Sequence, residues 1–187
     1  MTSVYEPMED SRLLERHVRQ LARGRVLDLG AGSGVQAFAA LENPAVTEIL
    51  AADINPLAVE RVRRRIEALP PEQRNRIAVI KSDMFSAITW KFDTIICNPP
   101  YLPDEEKDHD PALYGGEEGY EWSVRFLREA GNHLSPNGQI LFLFSSLTNR
   151  ERVDLELKRL GLQHEELGML ADFFERLYVY RIWRADG

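Results

Sequence analysis

The chain has 187 residues, 44% hydrophobic and 28% charged, which suits one globular core and excludes a disordered or fibrous chain. The 30 acids outnumber the 23 bases and leave a net charge of −7. That balance disfavours a dedicated DNA or RNA binder, whose affinity comes from neutralising phosphates.

Apolar runs such as Ile140 to Phe144 are too short to span a bilayer, and Glu6, Glu9 and Asp10 stand where a signal peptide needs bases. The lone Cys97 cannot form an internal disulfide and fits a reducing compartment. One cytoplasmic domain over residues 1–187 is the expectation.

Along the chain, strand and helix patterns alternate, which predicts a parallel sheet covered on both faces. Asp10 and Ser11 open a first helix with Leu14, Val18 and Leu21 on one side. Residues 25–29 form a strand, followed by a glycine-rich turn and a helix over 35–41. A second strand ends at Asp53, and Asn55-Pro56 then reads as the N-cap and first residue of a helix. Residues 76–80 and 92–97 form the third and fourth strands. A long loop rich in Pro, Gly and acids follows, from Asn98 to about Gly119, long enough to suggest a functional role. A helix over 120–134 then leads through the turn Ser135-Pro136-Asn137-Gly138 into a fifth strand, apolar on both faces. Asn149 caps a helix that Gly161 stops, and two more strands complete seven, with helices between the first five.

The first strand ends in DLGAGSG, Asp28 to Gly34. Glycines at 30, 32 and 34 let the backbone turn tightly and approach a ligand closely. Asp53, at the end of the second strand, is placed to accept hydrogen bonds from both hydroxyls of a ribose, with Ile54 beside it. A dinucleotide fingerprint needs its third glycine where Val35 stands. S-adenosylmethionine has no phosphate but carries a sulfonium and an ammonium, so Asp28, Asp53 and the acids near Asp10 suit it better. Asp83 is positioned to accept an adenine amino group, with Met84 or Phe85 packing the ring.

The fourth strand runs into Asn98-Pro99-Pro100-Tyr101. An amide or aromatic amine is a weak nucleophile because its lone pair is delocalised, so its two N–H groups must be held and aimed. Asn98 offers a side-chain oxygen and Pro99 a main-chain carbonyl, on a segment stiffened by Pro100. Tyr101 offers a face for a planar group. The contribution is positioning, for an in-line transfer.

With these pieces in place, the chain resembles the HemK/PrmC protein-glutamine methyltransferases, a branch of the class I enzymes with an NPPY motif. The matching segments are VYEPMEDS, DLGAGSG, Asp53, SDMF, NPPY and PALYGGEEG, within residues 4–119. The resemblance implies a Rossmann-like seven-stranded sheet with helices on both faces and an antiparallel last strand. It implies S-adenosylmethionine as cofactor and, as reaction, N5-methylation of the glutamine in the Gly-Gly-Gln loop of translation release factors. Tyr5, Pro7 and Asp10 would close over the cofactor. Asp28, Gly30, Gly32, Asp53, Ile54, Asp83, Met84 and Asn98 would line its site. The chain starts close to the catalytic core, as in the short archaeal and eukaryotic branch, whose members often work with a small zinc-binding activator. Such an activator is expected on the edge strand Arg76 to Ile80, where unpaired backbone groups invite a further strand.

Other signals carry less. Asp104 to Asp110 lack a ligand spacing and read as a solvated loop, so no metal is expected. Arg61 to Arg65 read as the polar side of a helix, with Glu60 pairing Arg64. Tyr178, Tyr180 and Trp183 read as core, and Cys97 as inert. Two rivals to the glutamine reading remain: methylation of an exocyclic amine in DNA or RNA, and a cofactor-binding scaffold without catalysis.

Overall fold

Strands that are apolar on both faces need cover on both faces. In the computed structural model, which describes residues 8–99, 120–171 and 175–185, this cover comes from helices on either side of one sheet. The elements run α1 (Glu9–Leu21), β1 (Gly24–Leu29), α2 (Val35–Leu41), β2 (Val46–Asp53), α3 (Pro56–Glu67), a single-turn α4 (Pro71–Arg74) and β3 (Ile77–Lys81). They continue with β4 (Phe92–Cys97), α5 (Glu121–Ala130), β5 (Leu134–Ser145), α6 (Arg150–Arg159), β6 (Leu162–Ala171) and β7 (Arg176–Arg184).

The strand order is β3-β2-β1-β4-β5-β7-β6. The first five pair parallel, and β7 is antiparallel to both of its neighbours. The order reverses between β1 and β4, and open α/β sheets bind ligands in the crevice that such a reversal creates. Leu14 and Val18 of α1, Ala37 of α2 and Val62 of α3 pack one face of the sheet with Val26, Ala51 and Ile96. Phe126 and Leu127 of α5 and Val153 and Leu157 of α6 pack the other, against Leu27, Ile95 and Phe142. Glu156 ties α5 to α6. Its carboxylate accepts from Arg128 at 2.7 Å and from Arg159 at 2.7 Å, and these two guanidinium groups hold its pKa down to about 2. Among the described residues no helix is long and apolar enough to cross a membrane.

Several local expectations hold. The Asn55 side chain accepts from the Leu57 N–H with Pro56 as the first helical residue. Asn149 caps α6 from a left-handed conformation, and Gly161 follows that helix at φ +67°. Tyr178 and Tyr180 are buried, and Cys97 is fully so.

Other expectations are corrected. No helix joins β3 to β4; turns over 82–91 do so, and Met84, Phe85 and Ile88 provide the apolar cover a helix would give. The segment Ser135 to Gly138 does not end before a strand but bulges within β5. Leu134 pairs with Phe92, pairing resumes at Gln139 with Thr94, and Asn137 takes φ +62°. The fifth helix stops at Ala130 and becomes a 3-10 turn over Gly131–His133. Arg65 leaves the polar face of α3: its guanidinium donates to the Ser33 carbonyl at 2.6 Å and lies 3.8 Å above the Phe38 ring.

Gly34 links the glycine turn to the core. It has φ +81°, and a Cβ there would sit 2.9 Å from Val62 Cγ2 and 3.1 Å from Phe38 Cε2. Gly30 has φ +74° with nothing within 4 Å of such a Cβ. Gly34→Ala should therefore destabilise by about 2–4 kcal/mol, from backbone strain plus overpacking. Gly30→Ala should cost only the strain, about 1–2 kcal/mol. Urea unfolding of both variants checks the difference, and equal losses would mean that Val62 and Phe38 yield freely.

Candidate active site

Parallel pairing brings the strand ends level. Leu29 stands opposite Ala52 and Cys97, and Ala52 opposite Ile80. One step further along, Gly30, Asp53, Lys81 and Asn98 share the carboxyl edge of the sheet, beside the crevice at the reversal of strand order. The turn over 30–34 is pinned there: the Gly30 and Ala31 N–H groups both donate to the Ala52 carbonyl, at 2.8 and 3.0 Å.

Two acids organise this edge. Asp28 is 1% exposed and accepts from the Ala37 N–H at 2.9 Å, so it couples β1 to the first turns of α2. Burial pushes its carboxyl up to about 7 from the ordinary 3.8, despite that hydrogen bond, and nearby Asp53 adds to the rise. Asp53 accepts from Gly32 N–H through Oδ2 at 2.8 Å and from Asn55 N–H through Oδ1 at 2.8 Å. Burial outweighs these bonds and raises its pKa as well. The Ile54 N–H also donates to Asp53, and since a carboxylate has about four acceptor positions, it retains capacity for a ribose hydroxyl. A Cβ on Gly30 would meet nothing, and one on Gly32 only the Gly30 carbonyl at 4.0 Å. The backbone is bare where a ligand would approach.

Asn98 follows β4 directly. Its Nδ2 donates to Asp10 Oδ2 at 2.9 Å, across 88 residues of chain. Its Oδ1 is buried and has no hydrogen-bond partner among the described residues. A buried acceptor left unpaired is costly, on the order of 1–3 kcal/mol, unless something later supplies a donor.

The other expected residues are placed less tightly. Ile54 is 43% exposed beside Asp53. The Asp83 carboxylate is mostly exposed, 3.7 Å from the Arg125 guanidinium. Met84 has φ +48° and is buried in the core with Phe85. Pro99 follows Asn98 on the same edge, and Tyr5, Pro7, Pro100 and Tyr101 lie outside the described residues, as does the acidic stretch 104–110. Among the described residues no group of three or more His, Cys, Asp or Glu could hold a metal ion. The pairing of Asp10 with Asn98 and the tie from Gln36 Nε2 to the Ser11 carbonyl, at 2.9 Å, were not read from the sequence. These two contacts join α1 to the loop after β4 and to α2, and in the sequence they are signalled by Asp10 and Ser11 being polar on a helix face that needs cover.

A cavity at the opposite end of the sheet, beside Arg23, Arg181, Trp183 and Arg184, is bounded by cations with work of their own. Arg23 donates to the Asn137 carbonyl, Arg184 to the Gly131 carbonyl, and Arg181 to Gln139 and Glu165.

The buried Asp28 makes stability depend on pH. Its folded pKa lies above its unfolded value, so the folded state holds the proton more tightly. That contribution is present below about pH 4 and is lost as pH rises towards 7. Asp53 pulls in the same direction, whereas His17, its pKa lowered by burial, pulls the other way below neutrality. The comparison to make is with Asp28→Asn, which cannot ionise. Between about pH 5 and pH 8 wild type should lose roughly 2–4 kcal/mol relative to that variant, measured by thermal or urea unfolding. Parallel pH profiles would show that Asp28 is solvated in the folded state.

A family model described as the methyltransferase small domain matches residues 6–168. A putative protein N5-glutamine methyltransferase of Methanocaldococcus jannaschii is 36% identical over 186 residues, 97% of this chain and 92% of its own length. A release factor glutamine methyltransferase of Deinococcus radiodurans is 29% identical over 179 residues; the match covers 91% of this chain and 62% of that longer protein. Among solved structures, the E. cuniculi Mtq2–Trm112 complex, described as responsible for methylating the eRF1 translation termination factor, superposes with a TM-score of 0.77 at 24% identity. That match covers 97% of this chain and 99% of the solved one, and it establishes the class I methyltransferase fold. The chain belongs to the methyltransferase small domain family and is an S-adenosylmethionine-dependent methyltransferase.

Proposed function

We propose that this protein methylates the side-chain amide nitrogen of a glutamine flanked by glycines, in a translation release factor in the cytoplasm. The observation that carries the reading is the Oδ1 of Asn98, buried and without a partner among the described residues. A primary amide brings two N–H groups. One satisfies Asn98 Oδ1, and the Pro99 carbonyl is the natural acceptor for the second. Held at both hydrogens, the nitrogen is fixed in the plane of its own amide and can be aimed. Tyr101 is assigned to the flat face of the substrate. The relatives from M. jannaschii and D. radiodurans, both described as glutamine methyltransferases, support the same acceptor.

The residues at the carboxyl edge fit the cofactor. S-adenosylmethionine supplies a methyl group on a positively charged sulfur. The remaining acceptor capacity of Asp53 suits a ribose hydroxyl, the bare backbone at Gly30 and Gly32 admits the cofactor closely, and the ionised fraction of Asp28 adds negative potential beneath the turn. Asp83, Met84 and Ile54 are assigned to the base; Tyr5, Pro7 and Asp10 are assigned to the cover over the site.

An exocyclic amine of adenine offers the same two N–H groups. A chain with net charge −7 lacks the phosphate grip that helps recover the cost of flipping a base. A scaffold that only binds the cofactor has no use for a buried acceptor waiting for a donor.

The substrate test is mass spectrometry of a release factor incubated with the protein and isotope-labelled cofactor. The expected product is one methyl group on the glutamine of Gly-Gly-Gln, abolished when that glutamine is replaced. Asn98→Ala should keep most cofactor affinity and lose about 100- to 1000-fold in turnover, as when one aimed polar contact is removed. Methylation of DNA at a comparable rate would overturn the substrate reading.

The same reading assigns an activator to the edge strand β3. Ile77 is buried there, Val79 and Ile80 are half-buried, and Ala78 is exposed. The complex of the E. cuniculi relative with Trm112 supports a small partner, and a zinc-binding subunit that adds a strand to this edge is the form proposed. Co-expression should raise solubility and turnover, and Ala78→Glu should weaken the pairing without unfolding the chain. Full activity and monodispersity of the chain alone would count against it.

A further inference from the structure

The amide of Asn98 can face the substrate in two ways, and only one is useful. With Oδ1 forward it accepts an N–H from the nitrogen to be methylated; with Nδ2 forward it presents hydrogens to hydrogens. Nothing within Asn98 chooses between them, because the side-chain oxygen and nitrogen have almost the same shape.

We infer that Asp10 makes this choice and is a positioning residue of the transfer. Its carboxylate offers acceptors and no donor, so the Nδ2 of Asn98 must turn towards it, as the 2.9 Å contact shows. The orphaned Oδ1 is the direct consequence. Asp10 itself has little room to shift. It is 3% exposed in the first turn of α1, which is anchored by the buried Leu13, Leu14 and Val18 and by the bond from Gln36 to the Ser11 carbonyl. The acid therefore acts through Asn98 to present a single acceptor, and it selects substrates that bring an N–H donor.

This inference rests on the reading of Asn98 as the acceptor for the substrate nitrogen. An acid in the first turn of a helix also suits the helix dipole. That role would affect stability alone, so the test separates the two.

Asp10→Asn removes the selection, because the new amide can bond to either side of Asn98. It should lower kcat by about ten- to a hundredfold, with the calorimetric Kd for cofactor, over which Asp10 forms part of the cover, changed several-fold less than kcat. Asn98→Asp should lose more, since two carboxylates then face each other. The exchanged pair, Asp10→Asn with Asn98→Asp, restores one donor facing one acceptor and should recover at least about tenfold over Asn98→Asp alone. Unchanged kcat in Asp10→Asn, loss of cofactor affinity in step with kcat, or no recovery in the exchanged pair would each overturn the inference.

A second measurement needs no methyl acceptor. The side-chain NH2 of Asn98 in the wild-type protein should give resolved, slowly exchanging proton signals in nitrogen-15 spectra, and these should collapse towards free-amide behaviour in Asp10→Asn. Fast exchange in wild type would overturn the orientation directly. A wild type that methylates no glutamine loop would instead overturn the substrate reading, and the amide signals still decide this one.

Discussion

The level register of the parallel strands is the constraint on which the site depends. Because Leu29, Ala52 and Cys97 are paired in one row, the residues that follow them emerge together at one edge. Each contributes what its local backbone allows: a glycine with no side chain, an acid that closes a strand, an amide that opens a loop. A slip of one residue in either pairing would turn Asp53 or Asn98 to the other face of the sheet. The two hydrophobic layers, which tolerate no such flip, are thus what holds the chemistry in place.

The same edge carries an electrostatic load. Asp28 is buried beside Asp53 with Cys97 close by, and burial raises the pKa of all three, that of Cys97 well above its ordinary value. Ionised carboxylates in such a place destabilise the isolated chain, and a ligand carrying positive charge relieves them. Stability here is traded against affinity, as is common where a site is preformed for a charged partner. The Oδ1 of Asn98, buried without a partner among the described residues, is a second cost of the same kind, offset when a donor arrives.

The two edges of the sheet are managed differently. On β6, Glu165 pairs with Arg181 at 3.1 Å and Glu166 with Arg150 at 3.0 Å, and a bulge between Glu166 and Gly168 breaks the ladder. Gly168 lies so close to His17 that a Cβ would approach Nε2 to 3.0 Å, which ties the bulge to α1. Charge and irregularity make this edge a poor template for another strand. On β3 the edge is five residues, four of them apolar, with no bulge and no such ion pair among the described residues. The asymmetry makes β3 the better template of the two for an added strand.

What the sequence determined by itself is whatever the chain achieves over short range. The glycine turn, the caps at Asn55 and Asn149, the stop at Gly161 and the acid closing β2 all follow from backbone preferences of a few adjacent residues. Strand patterning pointed to seven strands, and the antiparallel last one was implied by the family likeness alone. Tertiary structure decided the rest, because those features depend on neighbours far away in the chain. Whether β3 returns to β4 through a helix depends on how Met84, Phe85 and Ile88 fill the layer, and they fill it without one. The bulge in β5 arises where Phe92 and Thr94 set the pairing, and Gly138 fits there because a Cβ would come 2.9 Å from the Phe92 carbonyl. Arg65 reads as one more cation in a run until Phe38 lies beneath it. Asp10 and Asn98 each read as a polar residue in a motif, and neither says which side of the amide faces forward. That is settled when α1 packs against the sheet and brings a carboxylate to the nitrogen, a contact between residues 88 positions apart.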